Sequence, residues 1–99
     1  MMRLEKLDLH PEAVAEARAA REWYEERSAV AASRFVVELE HALERINDSP
    51  ESWPPYLHGT RRYLLRHYPY QVVYRVAGDR VQVIAIAHAR RRPGYWRYR

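Results

Sequence analysis

A change in hydrophobic period near the middle of the chain constrains the fold more than any other feature of the sequence. Up to about residue 47 the apolar residues recur every three or four positions, as on one face of a helix. After residue 60 they come in short runs rich in Tyr, Val and Ile, which are typical of strands. Helices and strands are therefore segregated along the chain, which predicts an α+β fold with a helical hairpin packed on a mainly antiparallel sheet.

The first half predicts the order strand, helix, helix. Leucines alternate with charged residues from Met2 to Leu9, which indicates a short N-terminal strand. Pro11 suits the first turn of a helix, because its missing N–H would have no partner there, and a helix is predicted from Pro11 to Arg27. A second helix is predicted from Ser28 to Asn47, with Ser28 as its N-cap. The faces predicted to be buried consist of Ala13, Ala17, Ala20 and Tyr24 in the first helix and Ala32, Phe35, Val36, Leu39, Ala42, Leu43 and Ile46 in the second.

A loop is predicted from Asp48 to Gly59, because this stretch contains three prolines and no period. Its apolar residues Trp53, Tyr56 and Leu57 are expected to anchor it to the rest of the molecule. Three strands follow, which together form an antiparallel meander: Thr60 to His67, Tyr70 to Val76, and Arg80 to His88.

The last predicted strand is expected to be central in the sheet. Alternation places Val81, Val83, Ala85 and Ala87 on one apolar face and leaves a mixed face opposite. The tail from Ala89 to Arg99 is basic and aromatic, and it is expected to leave the sheet as a loop or a partly mobile end.

Length and composition predict one domain covering residues 1–99. The N-terminus lacks the apolar stretch of a secretory signal, and no apolar run is long enough to span a bilayer. The chain has no cysteine, so no disulfide or thiolate metal site is available. These features predict a cytoplasmic protein without a membrane partner.

Charge is distributed unevenly between the two halves. Residues 1–50 carry 7 basic and 11 acidic side chains, whereas residues 51–99 carry 10 basic and 2 acidic ones. The basic second half is expected to bind nucleic acid or an acidic polypeptide, although a solvated basic face without a partner would have the same composition.

Common cofactor and metal sites are not expected. The five histidines, which are His10, His41, His58, His67 and His88, lack the spacing of metal ligands and have no clustered carboxylates beside them. Among only three glycines there is no phosphate-binding loop and no dinucleotide fingerprint. The sequence therefore predicts neither a metal nor a cofactor.

Two segments of the second half resemble a known family. Arg66 to Arg75, with the sequence RHYPYQVVYR, and Val83 to Trp96, with the sequence VIAIAHARRRPGYW, are similar to the C-terminal half of RelE/ParE-type toxins, the plasmid stabilisation family. The N-terminal strand and the helical hairpin also lie where that family has them. The resemblance implies the toxin of a bacterial type II toxin–antitoxin system, which a cognate antitoxin neutralises in a hetero-oligomer. Its target would be DNA gyrase, as in the ParE branch, or ribosome-bound mRNA, as in the RelE branch.

If the chain is a nuclease, the catalytic candidates are His88, Arg91 and Tyr95. An imidazole beside bound phosphate can act as a general base toward a ribose hydroxyl, and an arginine can offset charge on the phosphorus oxygens. Tyr95 could orient or stack a base. A strand-end histidine hydrogen-bonded to the backbone is the alternative for His88.

The candidates for binding a nucleic acid or another target are Arg62, Arg66, Arg90, Arg92 and Trp96. Arg62 and Arg66 are four positions apart in a predicted strand, so they are expected to share a face. For Tyr95 and Trp96 the alternative is packing, because aromatic residues near a chain end often cover the edge of a core.

The ribonuclease branch commonly has an arginine at the position of Gln71, and the paired lysines of some ribosome-dependent members are also missing. Arg66 or Arg75 could substitute only if it faced the same pocket. Three hypotheses remain: a gyrase poison, a ribosome-dependent endoribonuclease, and a non-toxic basic binding domain of the same fold. Whether the chain is an enzyme stays open at this point.

Overall fold

Two helices pack against one face of a four-stranded sheet. The structure is a computed structural model that describes residues 7–99; positions 2–6 of the first predicted strand lie outside this range. The elements are, in chain order, β1 (Leu7–Leu9), α1 (Pro11–Glu25), α2 (Ala29–Asp48), β2 (Arg61–Leu64), β3 (Tyr70–Ala77) and β4 (Arg80–His88). The α+β class and the element order predicted from the sequence are confirmed.

The strand order in the sheet is β1-β4-β3-β2. β2, β3 and β4 form the predicted antiparallel meander, and β1 pairs with β4 in parallel. β4 therefore has a neighbour on each side, which confirms the prediction of a central strand. The turn between β3 and β4 has two residues, and the first, Gly78, adopts the positive φ of 63° that such a tight turn favours in glycine.

The structure confirms the predicted start of α1 at Pro11 and the predicted N-cap Ser28 of α2, and it adds His10 as the cap of α1. The backbone N–H of Glu12 donates to the Nδ1 atom of His10, which caps α1 before Pro11. The backbone N–H of Ala31 donates to the hydroxyl of Ser28, the N-cap of α2. The residues of the predicted apolar faces are all buried or partly buried. All of them except Ala32 belong to or pack against the core between the helices and the sheet, which we call the helix-side core.

β2 is shorter than the predicted strand from Thr60 to His67. The ladder with β3 continues as far as the bond from the N–H of Leu65 to the carbonyl of Tyr70. The next two N–H groups, of Arg66 and His67, instead donate to the carboxylate of Glu38 on α2. The chain thus leaves the sheet after Leu65, because a side chain of α2 competes for the backbone donors.

The predicted alternation along β4 is wrong beyond Val83. Tyr74 pairs with Val83 and Val73 pairs with Ala85, so Ile84 is an extra residue in the ladder. This bulge shifts the facing of all later residues. Val81, Val83 and Ile86 consequently pack in the helix-side core, while Ile84, Ala85 and Ala87 lie on the other face of the sheet.

That other face, which we call the second face, is covered by the loop and the tail. Trp96 is fully buried there against Val73 and the alanines of β4, with Tyr56 and Tyr95 beside it. The tail therefore does not leave the sheet as expected, because burial of the indole holds it in place. Trp53 anchors the loop in the helix-side core, whereas Leu57 is exposed and is not the anchor that the sequence predicts.

Candidate functional site

His88 lies at the end of β4 on the helix side of the sheet. Its cross-strand partner is Tyr70, and their ring centroids are 4.9 Å apart. The Nδ1 atom of His88 accepts a hydrogen bond of 3.0 Å from the backbone N–H of Arg90, so the imidazole closes the turn that follows the strand. The Nδ1 atom of His88 is therefore hydrogen-bonded to the backbone, which is the arrangement that the sequence analysis gave as the alternative to a catalytic role.

Three exposed arginines, Arg90, Arg91 and Arg92, form the turn after His88, which we call the basic turn. The guanidinium of Arg91 lies over the ring of Tyr95, at 3.8 Å from the ring centroid. Arg90 and Arg92 extend the positive charge at this corner of the molecule. The basic turn thus presents a concentrated positive surface to solvent, which suits an anionic partner.

Glu16 of α1 fixes the position of the tail behind the basic turn. Its carboxylate accepts hydrogen bonds from the Tyr95 hydroxyl at 2.5 Å and from the Arg99 guanidinium at 2.8 and 3.0 Å. It also accepts from the backbone N–H of Ile86 at 3.0 Å. Glu16 and Arg99 are each only 16% exposed, so this ion pair is largely shielded from water. We call this arrangement the Glu16 clamp.

The Glu16 clamp also determines the state of Tyr95. Burial raises the pKa of the Tyr95 hydroxyl, and the hydrogen bond and charge of Glu16 raise that pKa further. The hydrogen bond to Glu16 raises the pKa of Arg99 in turn. Tyr95 is therefore a neutral donor whose hydroxyl and ring are both engaged within the molecule, which leaves it poorly placed to orient a base.

Arg62 lies on the second face, away from His88. Its guanidinium donates to the side-chain oxygen of Gln71 at 3.3 Å and lies 4.4 Å from the ring centroid of Tyr56. Gln71 pairs with Ala87 of the second face, whereas the next pair, Tyr70 and His88, faces the helices. Gln71 and His88 therefore point to opposite faces of the sheet. Gln71 occupies the position at which the ribonuclease branch commonly has an arginine.

Arg66 does not share a face with Arg62, contrary to the sequence prediction. It follows the end of β2 in the bend that Glu38 holds, and it lines a groove on the helix side. Arg75 cannot replace the missing arginine beside His88 either, because it pairs with Gln82 and lies two positions after Val73 of the second face.

Trp96 cannot present its ring to a target, because it is 1% exposed and fills the second face. The predicted binding role of its side chain is replaced by packing. Of the predicted site residues, Arg90, Arg91 and Arg92 lie together in the basic turn, where His88 bonds to the N–H of Arg90 and Arg91 covers the ring of Tyr95. Within residues 7–99, no hydrogen bond or ring contact joins His88 to Tyr95. No hydrogen bond or ion pair in that range joins these residues to Arg62 or Arg66.

Sequence reasoning missed Glu16, Glu38 and Arg99. A signal for the two acids was present, because Glu16 lies three positions after Ala13 and four before Ala20, on the buried face of α1. Glu38 lies at the same spacing from Phe35 and Ala42 in α2. A carboxylate on an apolar face requires a partner, and here each holds a segment of the chain in position.

No group of three potential ligands in the part of the chain that the structure describes is close enough to hold a metal ion. Among residues 7–99, neither helix combines the length and the apolar character that a membrane span requires.

The helical hairpin packed on a mixed four-stranded sheet defines the chain as a small α+β protein. The chain belongs to the ParE toxin family of type II toxin–antitoxin systems (parDE), whose family model matches residues 7–93. A solved structure described as the chromosomal ParDE TA system from P. aeruginosa is similar in fold, with a TM-score of 0.75 and 19% identity over 86% of this chain and 96% of that chain. A comparison with curated proteins gives no match.

Proposed function

We propose that this chain arrests growth by poisoning DNA gyrase in the cytoplasm, and that a cognate antitoxin neutralises it in a hetero-oligomer. The single observation that carries the choice of target is the separation of the nuclease candidates. His88 is bonded to its own turn, Tyr95 is bonded to Glu16, and Gln71 with Arg62 faces the other side of the sheet. This arrangement supports a binding poison over a ribonuclease, which needs acid, base and cation around one phosphate.

The basic turn supplies the surface that a binding mechanism requires. Its exposed arginines can contact a carboxylate or phosphate of a protein–DNA complex with both nitrogens of the fork. The Glu16 clamp holds the segment behind the turn, so little conformational entropy is lost on binding. We accordingly propose Arg90, Arg91 and Arg92 as contacts to the target, with His88 and Tyr95 shaping the turn.

A supercoiling assay with purified gyrase tests the proposal. The wild-type chain should inhibit supercoiling and increase cleaved DNA, and replacing Arg90 and Arg92 together by Glu should abolish both effects. The matched control replaces Arg75 by Glu, since this arginine lies on the second face away from the basic turn. Normal supercoiling at excess wild-type protein would reject gyrase as the target.

Mapping of transcripts after induced expression tests the ribonuclease alternative. Intact mRNA is expected. Cleavage at codons that disappears in the His88→Ala variant would replace the proposal with the nuclease mechanism. If the soluble protein neither inhibits supercoiling nor causes mRNA cleavage, the result would indicate the non-toxic basic domain.

A further inference from the structure

The tail from Ala89 to Arg99 contains five arginines and neither Asp nor Glu. Arg99 is taken up by the Glu16 clamp, whereas the other four arginines are exposed. Tyr98 beside them is 90% exposed. We call this exposed set the tail surface; it extends the basic turn and consists of Arg90, Arg91, Arg92, Arg97 and Tyr98.

Overlapping turns of the backbone hold the tail surface together. The N–H of Tyr95 donates to the carbonyl of Arg92, and the N–H of Arg97 donates to the carbonyl of Gly94. Each such turn keeps its first and fourth Cα atoms within about 7 Å of each other, so the Cα atoms of Arg92 and Arg97 are at most about 14 Å apart. The Glu16 clamp and the buried Trp96 fix these turns on the sheet. The arginines are therefore presented close together on a firm support.

Neighbouring carboxylates do not offset the positive charge of the tail surface. Within residues 7–99, no Asp or Glu side chain forms an ion pair with any of its four arginines. Arg91 lies over the ring of Tyr95, at 3.8 Å from the ring centroid. Arg97 lies 5.1 Å from the ring centroid of Tyr98. These ring contacts leave the N–H groups of both guanidiniums available to an anion.

The arginines of β2 and β4, in contrast, are used within the molecule. Arg61 donates to two backbone carbonyls of the loop before β2. Arg62 donates to the side chain of Gln71. Arg80 pairs with the carboxylate of Asp8. Donors available to an external anion are therefore concentrated in the tail surface.

We propose that the tail surface binds the phosphate backbone of duplex DNA directly; that this DNA is the segment held by gyrase rests on the proposed function. Guanidinium forks match phosphate oxygens, and contacts of this kind do not depend on base sequence. About 14 Å of duplex axis carries roughly eight phosphates, which is enough to engage all four arginines. The Tyr98 hydroxyl forms no hydrogen bond within residues 7–99 and donates to a further phosphate in this arrangement.

An acidic protein or a single nucleic-acid strand fits the tail surface less well. Protein interfaces are anchored by an apolar centre, whereas this surface has one tyrosine ring among four guanidinium groups. Proteins that bind single strands stack successive bases on several exposed rings. Here Arg91 covers the ring of Tyr95, and Trp96 is buried, so Tyr98 alone is exposed in the tail.

The test measures binding of the full chain to a fluorescein-labelled DNA duplex of about 20 bp by fluorescence anisotropy, without gyrase. The wild type should bind with a Kd of roughly 1 to 100 µM at about 0.1 M salt, the range of sequence-independent contacts. A plot of the logarithm of the binding constant against the logarithm of the salt concentration should have a slope of about −3.6. Each of four neutralised phosphates contributes about −0.9 to this slope.

Two double variants with the same change in net charge locate the contact. Replacing Arg90 and Arg92 by Gln should weaken duplex binding about 10-fold or more and reduce the slope to about −1.8. Replacing Arg18 and Arg21 by Gln should leave the affinity within about 2-fold and the slope unchanged, because the helical period turns these exposed residues of α1 away from Glu16 and the tail. All four positions are exposed, so both variants should keep the wild-type thermal unfolding profile.

Tyr98→Phe separates the hydroxyl from the charges. It should weaken duplex binding by about 3-fold and leave the slope at about −3.6, because a donor to phosphate is lost without a change in charge. Wild-type affinity in Tyr98→Phe would contradict the contact assigned to this residue.

Three outcomes would overturn the inference as a whole. These are no binding of the wild type at about 0.05 M salt, equal losses in the two double variants, or tighter binding of a Glu-rich peptide or of an RNA duplex than of the DNA duplex. The supercoiling assay separates this inference from the proposed function. A chain that binds DNA but does not inhibit gyrase would refute the proposed function and leave the DNA site standing. A chain that inhibits gyrase without binding DNA would refute the DNA site alone.

Discussion

Glu16 helps to hold the tail through the hydrogen bonds that it accepts from Tyr95 and Arg99. Replacing Glu16 by Gln would leave the guanidinium of Arg99 largely buried without its counter-charge and would weaken the bond to Tyr95. We expect a loss of about 2 to 3 kcal/mol in the free energy of unfolding, measured by urea denaturation. Glu22→Gln, at an exposed position of the same helix, is the control and should change stability by less than about 0.5 kcal/mol. Equal changes in the free energy of unfolding for Glu16→Gln and Glu22→Gln would show that the Glu16 clamp contributes nothing to stability.

Glu38 makes stability depend on acid pH. Partial burial would raise the pKa of Glu38, but hydrogen bonds from the backbone and ring of His67 and from the backbone of Arg66 outweigh it, so the pKa lies below its usual value of 4.5. Because the folded-state pKa is lowered, the stabilisation is present above pH 4.5 and is lost as the pH falls through the folded pKa.

The corresponding measurement compares wild type and Glu38→Gln at several pH values. The variant should be less stable by about 1 to 2 kcal/mol at neutral pH, because two backbone donors lose their ionised acceptor. The difference should shrink below pH 4.5, and Glu40→Gln, which replaces an exposed carboxylate on the same helix, should show none. A stability difference between wild type and Glu38→Gln that stays constant down to about pH 3 would contradict the role given to the Glu38 carboxylate.

At the scale of elements, the tail is held by the conformation of Gly94 as well as by Trp96. Gly94 has φ of 82°, and a Cβ atom there would lie 3.2 Å from Nε2 of His58. Gly78, in the β3–β4 turn, has φ of 63° with nothing within 4 Å of the same position. Alanine at either glycine should cost about 1 kcal/mol through backbone strain, and Gly94→Ala should lower Tm further because it crowds His58. A larger decrease in Tm for Gly78→Ala than for Gly94→Ala would contradict the packing of the tail on the loop.

Burial of Trp96 gives the tail its main anchor. Trp96→Ala should reduce stability by about 3 to 5 kcal/mol, as expected for removal of a fully buried indole. Tyr98→Ala is the matched control, since Tyr98 is 90% exposed only two positions later, and its effect should stay within about 0.5 kcal/mol. Thermal unfolding of both variants distinguishes a packed tail from one that leaves the sheet.

The elements that local signals specify were predictable from the sequence, and those that distant side chains specify were not. Pro11, Ser28 and the apolar period place both helices within two residues of their observed ends. The end of β2 depends on Glu38, 28 residues before Arg66 in sequence, and the facing of β4 depends on the bulge at Ile84. The candidate site followed the same rule. His88 and the basic turn were predicted from adjacent residues. The shared face of Arg62 and Arg66 and the binding role of the Trp96 ring were wrong, because these features depend on tertiary contacts.

At the scale of the whole molecule, most of the acidic residues lie in the half that forms the helices, and the basic turn lies at the opposite end of the chain. Arg90, Arg91 and Arg92 concentrate part of the positive charge of the second half in the basic turn. In our account the basic turn contacts the target. Toxicity should therefore respond to substitutions in the basic turn more strongly than to substitutions elsewhere on the surface.

The most direct measurement is growth of a bacterial host without the antitoxin after tightly controlled expression of wild type and His88→Ala. Our account predicts that both arrest growth and that both increase DNA cleavage by gyrase, because His88 shapes a turn and performs no chemistry. The contrary result is that only the wild type arrests growth and cleaves transcripts, although His88→Ala is equally soluble and folded. This result would contradict the account and establish a ribonuclease.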